Sequence, residues 1–325
     1  MKIVRSPIYN YEMNEKTGYF RRWGKDICND PQYSPIGPEI LDIQISNICH
    51  NGCKFCYQSN LPTGKNMSFD NFKKIIDKMP TINQMAIATG DIDANPDIWR
   101  MMEYARNKGI VPNITISGYR LTDSIIENLV KYAGAVAVSL YSENVCFNTV
   151  KKLTDAGLNQ VNIHQLLSNE TIRYCFSVLE KYKTDYRLKK LNAIVFLSLK
   201  QKGRGKYYNI VSENDYQELI DFAMNNNTPV GFDSCGSNKF LSAIRSRNDY
   251  DEILKFVEPC EATCFSSFVN VDGFYFPCSF MDGEVKGIDI LNCEDFLQDV
   301  WFNNNTISWR KNLLNNNRNC PVYKI

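Results

Sequence analysis

Between residues 40 and 199 the sequence alternates strand-like and helix-like segments, and no other feature constrains the fold as tightly. Ile40-Leu41-Asp42-Ile43-Gln44-Ile45 alternates with period two. Met85-Ala86-Ile87-Ala88, residues 110–117, Ala135-Val136-Ala137-Val138-Ser139-Leu140, residues 160–167 and residues 191–199 are the near-continuous apolar runs of a parallel sheet covered by helices. Five amphipathic helices separate them. The first takes Ser68 as its N-cap, the second is opened by Pro96 and followed by Gly109, and the third starts at Thr122. The fourth spans 145–156 before Gly157, and the fifth spans 170–182. Strict alternation of six strands with five helices gives parallel strands joined by right-handed crossovers. The chain is therefore read as α/β, built on a partial (βα)6 barrel whose reactive groups stand at the carboxyl ends of the strands.

The first strand runs into Cys49-His50-Asn51-Gly52-Cys53-Lys54-Phe55-Cys56-Tyr57, a C-x3-C-x2-C triplet with an aromatic before the third cysteine. Thiolates at this spacing on one loop converge on an iron–sulfur cube, and three of them leave one iron of four open to a small ligand. With 12 cysteines in 325 residues, chance spacing is a poor explanation. The alternatives are a zinc loop or three buried thiols. A structural zinc site usually takes two cysteine pairs, and no second pair follows nearby.

This loop resembles the signature of the radical S-adenosylmethionine (radical SAM) superfamily, and the resemblance extends over about residues 40–205. It implies a TIM-like partial barrel in which Cys49, Cys53 and Cys56 hold a [4Fe-4S] cluster whose open iron binds SAM. It further implies reductive cleavage of SAM to a 5′-deoxyadenosyl radical that takes hydrogen from a substrate, and an electron donor such as flavodoxin or ferredoxin. Phe55 and Tyr57 are expected near the adenine. Where the family carries Gly-Gly-Glu after the second strand, this chain has Thr89-Gly90-Asp91, so the acid expected to meet the SAM ammonium is one methylene shorter.

Polar residues inside the other strands need partners, because an unpaired buried polar group costs about 1–3 kcal/mol. Asn113, Ser117, Ser139, Asn162 and His164 are such residues, and ordinary core hydrogen bonds are the alternative for each. The resemblance implies that Ser139 and Asn162 hold the SAM carboxylate and ribose and that the sixth strand, at Leu197, offers its backbone to the adenine. His164 is expected to touch SAM or substrate. The loop Lys200-Gln201-Lys202-Gly203-Arg204-Gly205-Lys206 reads either as a carboxylate or phosphate binder or as a solvated turn.

After residue 206 the pattern changes to one helix from Glu213 and a second cysteine set. Asp272-Gly273 between two aromatic runs marks a hairpin, with Cys264 before it and Cys278 after it. This part resembles the SPASM and twitch extensions of radical SAM enzymes, which implies an auxiliary [4Fe-4S] cluster. Cys235, Cys260, Cys264 and Cys278 are the expected ligands, with Cys320 in reserve to replace Cys235 or Cys264. A four-thiolate zinc site and free thiols are the alternatives. Cys293 reads as helical and ordinary, and Cys28, Cys146 and Cys175 as plain thiols.

Three segments follow: an aromatic, basic extension with a hairpin over 1–39, the barrel over 40–205, and a small cysteine-rich domain over 206–325. Basic and acidic residues nearly cancel, at 37 against 36, which removes the electrostatic case for nucleic acid or an anionic membrane. No signal-like or membrane-spanning apolar run is seen, and twelve cysteines without one point to a reducing cytoplasm. The expected activity is a radical SAM reaction on a peptide. A small-molecule substrate, oxidised or rearranged, is the second reading, and a non-catalytic iron–sulfur or zinc module the third.

Overall fold

The structure, a computed structural model, describes residues 1–325 apart from Thr17 and Cys28. Thr17 of the expected hairpin turn and Cys28, read as a plain thiol, therefore lie outside the described residues.

The six expected strands are β4 (Ile40–Gln44), β5 (Gln84–Ala88), β6 (Val111–Ile116), β7 (Val136–Ser139), β8 (Val161–Leu167) and β9 (Ala193–Ser198). Between them run α1 (Phe69–Lys78), α2 (Ile98–Asn107), α3 (Asp123–Tyr132), α4 (Glu143–Asp155) and α5 (Ile172–Thr184). Ser68 and Thr122 cap α1 and α3 by accepting from the N–H groups of Asn71 and Ile125. Leu41, Ile43, Val136, Val138, Val161 and Ile163 are fully buried in the main core. Burial of each such side chain is worth about 1.5–3 kcal/mol, which drives the helices onto the sheet.

Side chains alternate across a strand, so Asp42, Gln44, Asn113, Thr115, Ser139, Asn162 and His164 fall on the opposite, concave face. That face is lined by small and polar groups. Ala86, in the middle of the sheet, is exposed, so the face is open there.

The sheet continues past residue 205 at both edges. On one side α6 (Glu213–Asn225) leads to β10 (Val230–Phe232), which pairs parallel to β9. This short strand is fixed by Phe232, stacked on Phe240 at 4.7 Å and packed against Phe196. On the other side, after the short α7 (Ser237–Ala243) and α8 (Tyr250–Leu254), β11 (Ser266–Val269) pairs parallel to β4. The hairpin expected at Asp272-Gly273 joins β11 to β12 (Phe274–Phe276), and β13 (Ile288–Asp289) completes the edge. Among the described residues the order is β10-β9-β8-β7-β6-β5-β4-β11-β12-β13, an open sheet of ten strands. Cys293, expected on a helix, lies in a loop, and α9 (Asn304–Asn315) follows later.

The amino-terminal segment folds as β1 (Lys2–Val4), β2 (Asn10–Met13) and β3 (Phe20–Trp23), an antiparallel sheet that contains the expected hairpin. Arg22 of β3 is buried and ion-paired to Glu39, at the foot of β4, at 2.8 Å and to Glu258 at 3.1 Å. Among the described residues no helix is long and apolar enough to cross a membrane.

Candidate active site and second cysteine site

The C-x3-C-x2-C loop leaves the carboxyl end of β4, as the barrel reading requires. Its geometry is fixed from two sides. From β5, Gly90 packs so closely that a Cβ there would stand 2.6 Å from that of Cys49, and the Asp91 N–H donates to the Ile48 carbonyl at 2.9 Å. Asp91, only 2 % exposed, accepts from the His50 ring at 2.5 Å, from the His50 backbone N–H at 3.3 Å and from Arg120 at 3.0 Å. Its oxygens, expected to meet a SAM ammonium, are thus engaged by the cysteine loop and a guanidinium. From below β9, Arg204 donates through Nε to the Cys53 carbonyl at 2.7 Å and through its backbone N–H to that of Cys56 at 3.0 Å.

The three thiols share one electrostatic neighbourhood. Burial raises the pKa of Cys53, a hydrogen bond from Tyr141 opposes the rise, and Cys56 and Cys49 add to it. Tyr141, which the sequence reading missed, also bonds to Ser139 and packs on Phe55, ring centroids 5.6 Å apart. Ser139 and Phe55 therefore belong to the wall around the loop. Tyr57 turns the other way, its ring 4.4 Å from Phe280 beside Cys278, where burial raises its pKa. Thr89 bonds to the Asp91 carbonyl, and the Ser117 hydroxyl accepts from the Tyr119 N–H.

His164 lies 3.4 Å from the Thr115 hydroxyl, and burial lowers its pKa to about 4, so it stands neutral on the concave face. Leu197 pairs with Leu166 on the adjacent strand. Asn113 and Asn162 sit in the amino-terminal halves of their strands with their amides already bonded. Asn113 bridges Gln84 and the Ala135 N–H, and Asn162 accepts from Asn192. The Asn113 bonds are half-buried and the Asn162 bond is exposed.

The second set gathers where the two sheet edges face each other. Cys235 follows β10 and Cys278 follows β12, yet their thiols act on one another, and Cys260 acts on Cys235. Burial pushes the Cys278 thiol up to about 12, with Cys235 and Cys320 contributing. Two further contacts bring Cys320 to this place. Asn238, close to Cys235 in the chain, donates to the Asn319 side chain at 2.8 Å, and Arg318 donates to the Cys260 carbonyl at 2.9 Å. Cys264 adjoins them, since Cys260 and Cys278 pack against the core that holds it. It is fully buried in a small core with Tyr9, Tyr11, Phe265 and Leu313, and the charges around it are Arg318, Arg310, Glu261 and Arg22.

The donor set fits a four-thiolate cluster. Backbone N–H groups meet two of the sulfurs, Phe280 at Cys278 and Tyr323 at Cys320, the latter at 3.3 Å. Such outer bonds orient and tune cluster thiolates. Among the described residues no three His, Cys, Asp or Glu side chains form a ready single-ion site. Burial raises Cys146 and Cys175 to about 12, which leaves them inert core thiols.

Arg120 escaped the sequence reading, and so did two carboxylates near the second cysteine set. Asp42, a carboxyl in the middle of an apolar strand, is raised to about 7 by burial and lies near Tyr57 and Cys278. Its place in Ile40-Leu41-Asp42-Ile43 was the available signal. Asp233 forms a buried ion pair with Lys200 and accepts from the Ser198 hydroxyl at 2.9 Å.

Residues 43–148 match the Radical SAM superfamily. No curated protein matches the chain. Among solved structures, Streptococcus suis SuiB bound to precursor peptide SuiA superposes with a TM-score of 0.68 at 16% identity, covering 84% of this chain. The chain spans 66% of SuiB, just under two thirds of its length. Histidine-tagged anSMEcpe with bound AdoMet gives a TM-score of 0.60 at 17% identity, covering 81% of both chains. Native anSMEcpe with bound AdoMet and Cp18Cys peptide gives 0.59 at 16% identity, covering 83% of this chain and 81% of that one. These likenesses establish a common fold. The chain therefore carries a radical SAM domain, joined to a carboxyl-terminal extension with its own cysteine set.

Proposed function

We propose that the chain is a radical SAM enzyme that modifies a peptide. One observation carries the reading: the three thiols stand at the carboxyl end of the first barrel strand, inside the segment that matches the superfamily, on a loop held by Gly90, Asp91 and Arg204. Cys49, Cys53 and Cys56 would hold one [4Fe-4S] cluster, and Cys235, Cys260, Cys278 and Cys320 a second. When bound, the first cluster supplies the electron that releases a 5′-deoxyadenosyl radical from SAM to take hydrogen from substrate, with a flavodoxin or ferredoxin as external donor.

The chain's own residues set the stage for that step. Asp91 fixes the cysteine loop and holds Arg120, whose cation is then available to the SAM carboxylate. Ser139 and Tyr141 form the wall beside Cys53. Neutral His164 offers a ring nitrogen on the concave face without adding charge. Two of the solved relatives by fold, SuiB and anSMEcpe, were captured with peptides. The open, small-residue face around Ala86 gives an extended chain room to enter.

The test is anaerobic reconstitution. About eight irons per chain are expected from two four-iron cubes, with 5′-deoxyadenosine formed on addition of dithionite and SAM. Replacing Cys49, Cys53 and Cys56 by Ala should abolish that product and leave about four irons, those of the second cube. Undiminished product would sink the reading. Deuterium transfer from a labelled peptide into 5′-deoxyadenosine tests the substrate, and transfer only from a small alcohol would redirect it to a metabolite.

A further inference from the structure

The loop of residues 200–206 touches both cysteine sets, and it does so with different cations. Lys200 is 5 % exposed, ion-paired to Asp233, and close enough to the Cys235 thiol to act on it electrostatically. It lies 4.9 Å over the Phe280 ring, close to Cys278. Lys202 ties the same loop to the hairpin edge by donating to the carbonyls of Phe280, at 2.7 Å, and Asp282. Two residues on, Arg204 turns to the other set and donates to the Cys53 carbonyl at 2.7 Å. Gly203 lets it do so. Its φ is +55°, and a Cβ there would stand 2.7 Å from the Tyr57 carbonyl carbon and 2.8 Å from the Cys56 oxygen.

Neither cation is a loose surface charge. A fixed positive charge or hydrogen bond beside a cluster thiolate stabilises the reduced, more negative cluster and raises its reduction potential. Guanidinium stays charged in any protein, and the Lys200 ammonium is held by a carboxylate that partly offsets it.

Resting on the two-cluster reading above, we propose that this loop sets the potentials of both centres separately, through Lys200 at the auxiliary cluster and Arg204 at the SAM-binding cluster. Lys200 and Arg204 are positioning and tuning residues; neither touches a reacting atom.

The experiment is a redox titration of the reconstituted full chain followed by electron paramagnetic resonance. The signal that changes on adding SAM identifies the first cluster. Lys200→Met should lower the midpoint of the other signal only, and Arg204→Met that of the SAM-sensitive signal only. Lys200→Arg and Arg204→Lys should restore each midpoint most of the way. Asp233→Asn, which removes the offsetting carboxylate, should move the auxiliary midpoint upward. It also decides the case if Lys200→Met fails to hold iron. Two signals whose midpoints stay put in the Met variants overturn the assignment. So does a shift of the same sign in Lys200→Met and Asp233→Asn, which would mark general damage. A wild-type chain with one signal overturns the two-cluster reading itself, and the Lys200 half of the proposal with it.

Discussion

Asp91 accepts from the His50 ring at 2.5 Å and from the His50 backbone N–H at 3.3 Å, so the acid after the second barrel strand grips the cysteine loop directly. The same carboxylate holds Arg120 at 3.0 Å. Asp91 is buried but the His50 and Arg120 side chains are half exposed, so Asp91→Ala leaves them water as a partner and costs roughly 1 kcal/mol. The variant should melt earlier than wild type and retain less iron at the first cluster, while the auxiliary cluster stays. Asp91→Asn keeps an acceptor for the His50 N–H and should fall between the two. An Ala variant with wild-type melting and full iron would refute the anchoring role.

Gly203 is the second point of strict fit. Its φ of +55° alone costs a side-chain-bearing residue roughly 1–2 kcal/mol. The near contact of a Cβ with the Tyr57 carbonyl adds to that. Gly203→Ala is expected to destabilise the chain by at least that amount and to slow 5′-deoxyadenosine formation by displacing Arg204. Gly157, also at positive φ, has nothing within reach of an added Cβ. Gly157→Ala should cost stability without slowing SAM cleavage. Equal effects of both variants on SAM cleavage would remove Gly203 from the loop's support.

How much of this was legible in the sequence depends on the distance over which each feature is encoded. The barrel strands were readable because a parallel strand buried by helices must be a local apolar run, as Ala135–Leu140 is. Val230-Gly231-Phe232 was not readable as a strand, because three residues carry no periodicity and its hold comes from Phe196 and Phe240. The triplet Cys49, Cys53 and Cys56 is a local spacing, so its place on one loop after β4 was readable. The choice between Cys264 and Cys320 is not local, since it turns on which thiol the turn before β11 sends into the Tyr9–Phe265 core. The cationic loop 200–206 read as an anion binder or a solvated turn because the partner of Arg204 lies 151 residues away.

Asp42 gives a pH signature. Burial raises its folded pKa to about 7 from an ordinary 3.8. Between those values the folded chain binds the proton that the unfolded chain releases, so stability must fall as pH rises from about 4 to about 7 and then level. Asp42→Asn keeps the shape and removes the titration. The melting temperature of the variant minus that of wild type should therefore climb across about pH 4–7 and stay flat above it. A difference independent of pH would show that Asp42 is already ionised on the concave face.

The auxiliary ligands are separable by one comparison. Cys320 lies with Cys278 and Cys235, and the Tyr323 N–H meets its sulfur. Cys264 is fully buried among Tyr9, Tyr11, Phe265 and Leu313, in a core against which Cys260 and Cys278 pack. Cys320→Ala removes one of four thiolates. Paired with Cys235→Ala it leaves two, too few for a cube, so iron should fall from about eight to about four per chain. SAM cleavage without substrate should survive, because the first cluster keeps its own three ligands. Cys264→Ala should keep all its iron and lower only the melting temperature, by the roughly 1 kcal/mol that a small buried vacancy costs. Full iron in the Cys235/Cys320 variant, with iron lost in Cys264→Ala, would return the fourth position to Cys264.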